Sequence, residues 1–181
     1  MNQTKFHLET LQEQDLERIL FWRNQKHIRC CFLTDHEIKL VEHKAWYKGL
    51  SPEEKQLLKV LYYETIPIGF MNLAKMDKVN HICHWGFYIG DNQAPKGSGT
   101  AMGILALQFL FEELNIRKVC AEVLEFNTKS IRFHERLGFE REGKLKKQWK
   151  KEEKYVDILL FGFLQEDWFK QKTKLIGEEE K

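Results

Sequence analysis

The chain has 181 residues, of which 43% are hydrophobic and 31% charged, so it can bury a core of its own without disulfide or metal staples. Its 29 basic and 27 acidic residues leave a formal net charge of +2, which gives no electrostatic case for a nucleic-acid binder. No apolar run approaches the roughly 20 residues of a membrane span. The start of the chain lacks a signal-peptide core, and four cysteines without C-x-x-C spacing read as reduced thiols. One cytoplasmic domain over residues 1–181 is expected, with no membrane and no nucleic-acid partner.

An N-terminal strand precedes three helix-start signatures. Thr10 to Glu13 reads as a capping box, in which two side chains satisfy orphan backbone donors, and it opens a helix with Leu16, Ile19 and Leu20 on one face. Thr34 to Glu37 reads as a second box opening a helix toward Trp46. Ser51 to Glu54 is a third, with Pro52 at the first helical position. Strands are then predicted over Leu57–Glu64, Ile68–Ala74 and Ile82–Ile89, with a turn at Thr65–Pro67 and a polar connection over Lys75–Asn80.

Gly97–Leu114 is apolar almost all round and predicts a buried helix. Lys118–Leu124 predicts a strand. Asn127 caps the next helix, and Gly138 suits the left-handed residue at its end. Phe139–Leu145 and Tyr155–Phe163 predict a hairpin around the basic stretch Lys146–Lys154. A short amphipathic piece follows Leu164, ahead of a charged terminus that reads as frayed.

Two segments carry chemistry. Asp91 to Ala101 follows an apolar strand and opens a buried helix. Gly97 and Gly99 let backbone approach a ligand, and the first N–H groups of the helix favour an anion such as a pyrophosphate. Glu122 to Glu140 reads strand, Asn cap, helix, Gly stop, strand, with the run N-T-K-S-I-R-F-H-E-R-L-G-F from Asn127 to Phe139.

Together these segments resemble the Gcn5-related N-acetyltransferase superfamily, over most of the chain. The resemblance implies the acyl-CoA N-acyltransferase fold: a mixed, mostly antiparallel central sheet flanked by helices, in the α/β class. It implies acetyl-CoA as co-substrate and direct attack of an amine on the thioester; no His or Cys cluster has metal-ligand spacing, so no metal is expected. In such a fold the strand carrying His84 splays from the strand carrying Glu122, with pantetheine between. Cofactor contacts would come from Phe87, Tyr88, Ile89, Lys96, Gly97, Gly99, Thr100, Ala101 and Asn127. His134 occupies the place where relatives carry the Tyr that donates to the departing sulfur. His84 and Glu122 are rival bases, and His84-Trp85-Gly86 stands where relatives often read Glu-x-Gly. Ala94 replaces the common Arg or Gln of the loop, and Pro95 removes a backbone donor.

The run Phe21-Trp22-Arg23-Asn24, with Arg29, His43 and Trp46, is similar to the branch that acetylates the 4-amino group of a UDP-linked aminosugar in pseudaminic acid biosynthesis. Trp22, Arg23, Asn24, Arg29, His43 and Trp46 would then bind this nucleotide-sugar, by stacking on uracil and pairing with phosphate. Acetylation of a ribosomal-protein N-terminus or a polyamine is the alternative within enzymes. A non-catalytic acyl-CoA-binding module is the alternative outside them, and a homodimer is compatible with either.

Overall fold

The computed structural model describes residues 5–177. Seven strands form one mixed sheet in the order β1-β2-β3-β4-β5-β7-β6. The described residues divide into two compact units, 5–73 with 87–102 and 74–86 with 103–177.

In the first unit, β1 (Phe6–Thr10) pairs antiparallel with β2 (Lys59–Tyr63) from Phe6 against Tyr63 to Thr10 against Lys59. β2 pairs antiparallel with β3 (Ile66–Asp77), with a bulge at Leu61 and Tyr62. The helices of this unit are α1 (Leu16–Asn24), α2 (Lys26–Arg29), α3 (Leu40–Gly49) and α4 (Pro52–Gln56). Leu11, Leu16, Ile19, Trp22, Ile28, Leu58, Val60 and Phe70 form its core. The hydrophobic residues of α1 bury because they recur at helical spacing, while Glu17 and Phe21 fall on the outer side.

The Ser51 box is present in full: the Glu54 amide donates to Ser51 Oγ and the Ser51 amide to Glu54 Oε2. The first box is shifted. Gln12 and Asp15 make it, around a 3₁₀ turn over Glu13–Asp15 that leads into α1. The second is corrected outright, because no helix covers residues 34–39 and α3 begins at Leu40. Asn24 explains this. Its side chain donates to the Ile38 carbonyl and accepts from the Ile38 amide, so that stretch is held by a long-range clamp rather than by helix bonds.

In the second unit, β5 (Lys118–Leu124) pairs parallel with the start of β4 (Ile82–Ile89), Ile82 against Lys118 to His84 against Cys120. It pairs antiparallel along its whole length with β7 (Lys154–Leu164), which pairs with β6 (Glu140–Lys151). The basic stretch is therefore mostly strand, and only Glu152 and Glu153 form the turn. β3 likewise runs through Lys75 to Asp77, where a polar connection is expected from the sequence.

α5 (Ser98–Gln108) ends in a π-helical turn over Phe109–Glu113. α6 (Thr128–Leu137) starts at Asn127, whose side-chain oxygen accepts from the Ser130 amide, and stops at Gly138 with φ +94°. α7 (Gln165–Gly177) sends the fully buried Trp168 inward, and its indole donates to Glu112. The charged terminus expected to fray lies outside the described residues. No helix among the described residues is long and apolar enough to cross a membrane.

Candidate active site

Side chains of successive strand residues face opposite sides of a sheet. His84, paired in register with Cys120, therefore shares a side with Cys120 and Glu122. Cys83 and Trp85 share the other side with Val119 and Ala121. On the first side, His84 Nδ1 lies 3.6 Å from Glu122 Oε1, and Lys75 Nζ makes a short ion pair with the same oxygen. Burial, seconded by the Lys75 charge, pushes the His84 pKa below its ordinary value, and Glu122 opposes them. His84 is thus an imidazole held neutral near pH 7, with a carboxylate beside it. Lys75 is the residue that sequence reasoning missed. Reading residues 75–80 as a loop hid the fact that β3 carries its side chain to Glu122.

His134 sits on the other side of these strands and is only 5% exposed. Trp85 Nε1 donates to its Nε2 at 3.2 Å, and its Nδ1 donates to the Ser130 carbonyl at 2.7 Å. Phe161 stacks on the ring, with Phe133 and Phe139 edge-on. Burial lowers its pKa to about 4, against the pull of the Ser130 carbonyl. Both ring nitrogens are therefore engaged within the unit, and the ring is neutral near pH 7. The structure brings His84 and Glu122 together and leaves His134 apart from them. Cys83, on the His134 side, has its thiol pushed up to about 12 by burial and is inert.

The glycine loop belongs to the first unit. Asp91 Oδ1 accepts from the Gln93 amide, and the Ala94 amide donates to the Asp91 carbonyl, which folds the chain back before Gly97. Gly97 has φ +95°, a conformation that favours glycine. Gly99 has no such demand, and a Cβ there would meet nothing within 4 Å beyond its chain neighbours and its own helix backbone. Lys96 is exposed on this loop, while Thr100 and Ala101 belong to the first turn of α5. Phe87, Tyr88 and Ile89 end β4. Tyr88 is partly buried against the core, its hydroxyl donating to the Ile19 carbonyl and its pKa raised by burial. Asn127, in the other unit, spends its side-chain oxygen on the cap of α6.

The residues expected to hold a nucleotide-sugar have other partners. Trp22 is 5% exposed and packs where Gly90 leaves no room for a Cβ. Arg23 is buried, donates to the Thr34 carbonyl and Oγ1, and stacks on Phe32 at 4.1 Å. Arg29 pairs with Asp35 at 3.4 Å and Glu37 at 3.8 Å. His43 is buried, stacks on Trp46 and is held neutral by burial. Asn24 clamps Ile38. An open groove of about 440 Å³ does lie on this unit, lined by Glu17, Leu20, Phe21, Asn24, Gln25, Glu37 and Leu40. Its charged side chains are both carboxylates. Gln25 also donates to the Gly90 carbonyl, where β4 passes into the glycine loop.

A family model described as "Acetyltransferase (GNAT) domain" matches residues 8–160. The chain belongs to the GNAT acetyltransferase family. Membership makes acetyl-CoA the expected acetyl donor. Among the described residues no group of three His, Cys, Asp or Glu is placed to hold a metal ion. The prophage-derived uncharacterized N-acetyltransferase YokL of Bacillus subtilis is 35% identical over 103 residues, 56% of this chain and 57% of that protein. The ribosomal protein uS5-alanine N-acetyltransferase of Escherichia coli is 26% identical over 125 residues, 68% of this chain and 60% of that protein. The matches thus span less than two thirds of these two relatives. The fold is also that of the Vibrio cholerae spermidine N-acetyltransferase solved with CoA and spermine, with a TM-score of 0.84, 21% identity and 92% and 99% of the two chains covered.

Proposed function

We propose that the protein transfers the acetyl group of acetyl-CoA to a primary amine carried by a cationic molecule, a polyamine or a basic protein N-terminus. The observation that carries this reading is the Glu122 carboxylate beside a neutral His84, already holding one alkylammonium, that of Lys75. An incoming ammonium replaces Lys75 on Glu122, and His84 takes the proton that must leave before nitrogen attacks. General bases of this kind contribute about 10²–10⁴-fold. The amine then adds to the thioester carbonyl and the CoA thiolate leaves. The loop around Gly97 and Gly99 offers backbone donors and space to the pyrophosphate, with Lys96 adding charge.

The UDP-aminosugar reading needs exposed guanidinium groups for phosphate, whereas Arg29 pairs with Asp35 and Glu37 and Arg23 is buried against Thr34 and Phe32, with only its Nη1 lacking a hydrogen-bond partner. The groove's two carboxylates, Glu17 and Glu37, already pair with Lys44 and Arg29, so a cationic acceptor there would exchange with a resident partner as it does at Glu122. His134 acts in this reading as a packing residue, because donation to sulfur would break its bonds to Trp85 and Ser130.

A panel of spermidine, basic peptides and UDP-aminosugars, assayed with acetyl-CoA for released thiol and product mass, tests the proposal. Cationic amines should turn over, and His84→Phe should lower kcat by about 10²-fold or more. Turnover of the UDP-aminosugar alone would reverse the acceptor assignment. No thiol release with any amine would leave the non-catalytic acyl-CoA module.

A further inference from the structure

Lys75 is placed as an acceptor amine would have to be. Its ammonium sits on the Glu122 carboxylate, with His84 Nδ1 3.6 Å from the same oxygen. The side chain is 62% exposed and is not walled in by packing. The backbone at Lys75 has φ +48°, a left-handed conformation within β3 that non-glycine residues adopt at a cost. A residue kept in that conformation in a strand re-aims its side chain as a bulge does. The fold thus holds a primary amine of its own at the pair assigned to deprotonate the substrate's amine.

We infer that Lys75 is an internal acceptor, acetylated by the protein itself when acetyl-CoA is bound and no external amine competes. The inference rests on the reading of Glu122 and His84 as the acceptor-amine site. Lys75 gives one proton to His84, and its nitrogen lone pair attacks the thioester carbonyl. The new C–N bond forms as the C–S bond breaks, and the CoA thiolate leaves and takes up the second proton that the nitrogen sheds in becoming an amide. The products are N-acetyl-Lys75 and free CoA thiol. Tethering favours this step, since an amine on the neighbouring strand has an effective concentration no dilute acceptor matches. The reaction also removes the Lys75 charge, so Glu122 loses its resident partner and opens to an external ammonium. Self-acetylation would therefore prime the site.

The experiment is a time course of the full-length protein with acetyl-CoA and no added amine, read by peptide mass mapping. Acetyl should appear on Lys75 with a first-order rate constant independent of protein concentration. It should be at least about tenfold faster than on the exposed hairpin residues Lys150 and Lys154, as expected for a positioned amine. Glu122→Gln should slow Lys75 modification by about tenfold or more and leave Lys150 unchanged. Lys75→Arg should abolish the product. Equal rates at Lys75 and Lys150, or no effect of Glu122→Gln, would overturn the inference. Spermidine and basic peptides run in parallel separate the two claims. Thiol release with those amines from a protein whose Lys75 stays unmodified overturns the internal acceptor alone. Absence of thiol release with every amine, together with an unmodified Lys75, overturns both.

Discussion

At His84, burial and the Lys75 charge hold the ring neutral while the Glu122 charge pulls the other way. The first two win, so the acid limb of kcat/KM should lie below the ordinary histidine value near 6.5. Lys75→Met removes one of the two groups that depress the pKa, and the limb should move to higher pH; an unmoved limb would detach His84 from the rate. Gly99 gives a second test at this scale. Beyond its chain neighbours and its own helix backbone, nothing lies within 4 Å of the Cβ that Gly99 lacks, so Gly99→Val should keep the fold and melt near the wild-type temperature. Its branched side chain should block close approach of the pyrophosphate. Calorimetry should show acetyl-CoA binding weakened at least about tenfold, or 1.4 kcal/mol.

Helix α6 shows how local and distant forces divide the labour. Its ends are set by local chemistry, the Asn127 oxygen on the Ser130 amide and the left-handed Gly138, and both are legible in the sequence. Its inner face is set by Trp85 and Phe161 from other strands, and these decide what His134 does. His134→Phe leaves the buried Trp85 indole N–H without its acceptor, at a cost of about 1–3 kcal/mol. Urea denaturation should report that loss, while kcat stays within a few fold; a large fall in kcat with unchanged stability would return His134 to the chemistry. The same division explains what was legible elsewhere. β4, β5 and the Ser51 box announce themselves through alternation and capping. The residues after Thr34 carry an equally good box, yet Asn24, ten residues upstream, claims that backbone. The first half of β6 reads as a strand, but its continuation over Lys146–Lys151 is too basic and exposed to do so. An edge strand has a sheet neighbour on one side only, and lysines there discourage pairing with other chains. At the site, His84 and Glu122 were legible as candidates. Their partnership with Lys75, and their separation from His134, depend on strand register.

The whole molecule should be acid-sensitive, and His134 sets the sign. Its folded pKa of about 4 lies below the unfolded value near 6.5, so between these limits the unfolded chain binds more protons. Stability is therefore full above about pH 6.5 and falls as pH drops toward 4, by up to roughly 3 kcal/mol from this residue. His43 contributes in the same direction. Urea midpoints should show a steeper wild-type slope over pH 4.5–6.5 than His134→Phe; parallel slopes would assign the acid loss to other groups. Trp168→Ala should cost about 3–5 kcal/mol by emptying the core under α7. The late position of that plug bears on how the protein is made. β5 ends at Leu124, but the strand that covers its far edge is complete only at Leu164, and Trp168 follows. The first unit has all its residues by position 102. On the ribosome, at roughly 5–20 residues per second, the apolar edge of β5 waits about 2–8 s for its neighbour. During synthesis the half-built second unit, with β5 open along its β7 edge, is the form most exposed to chaperones and to aggregation.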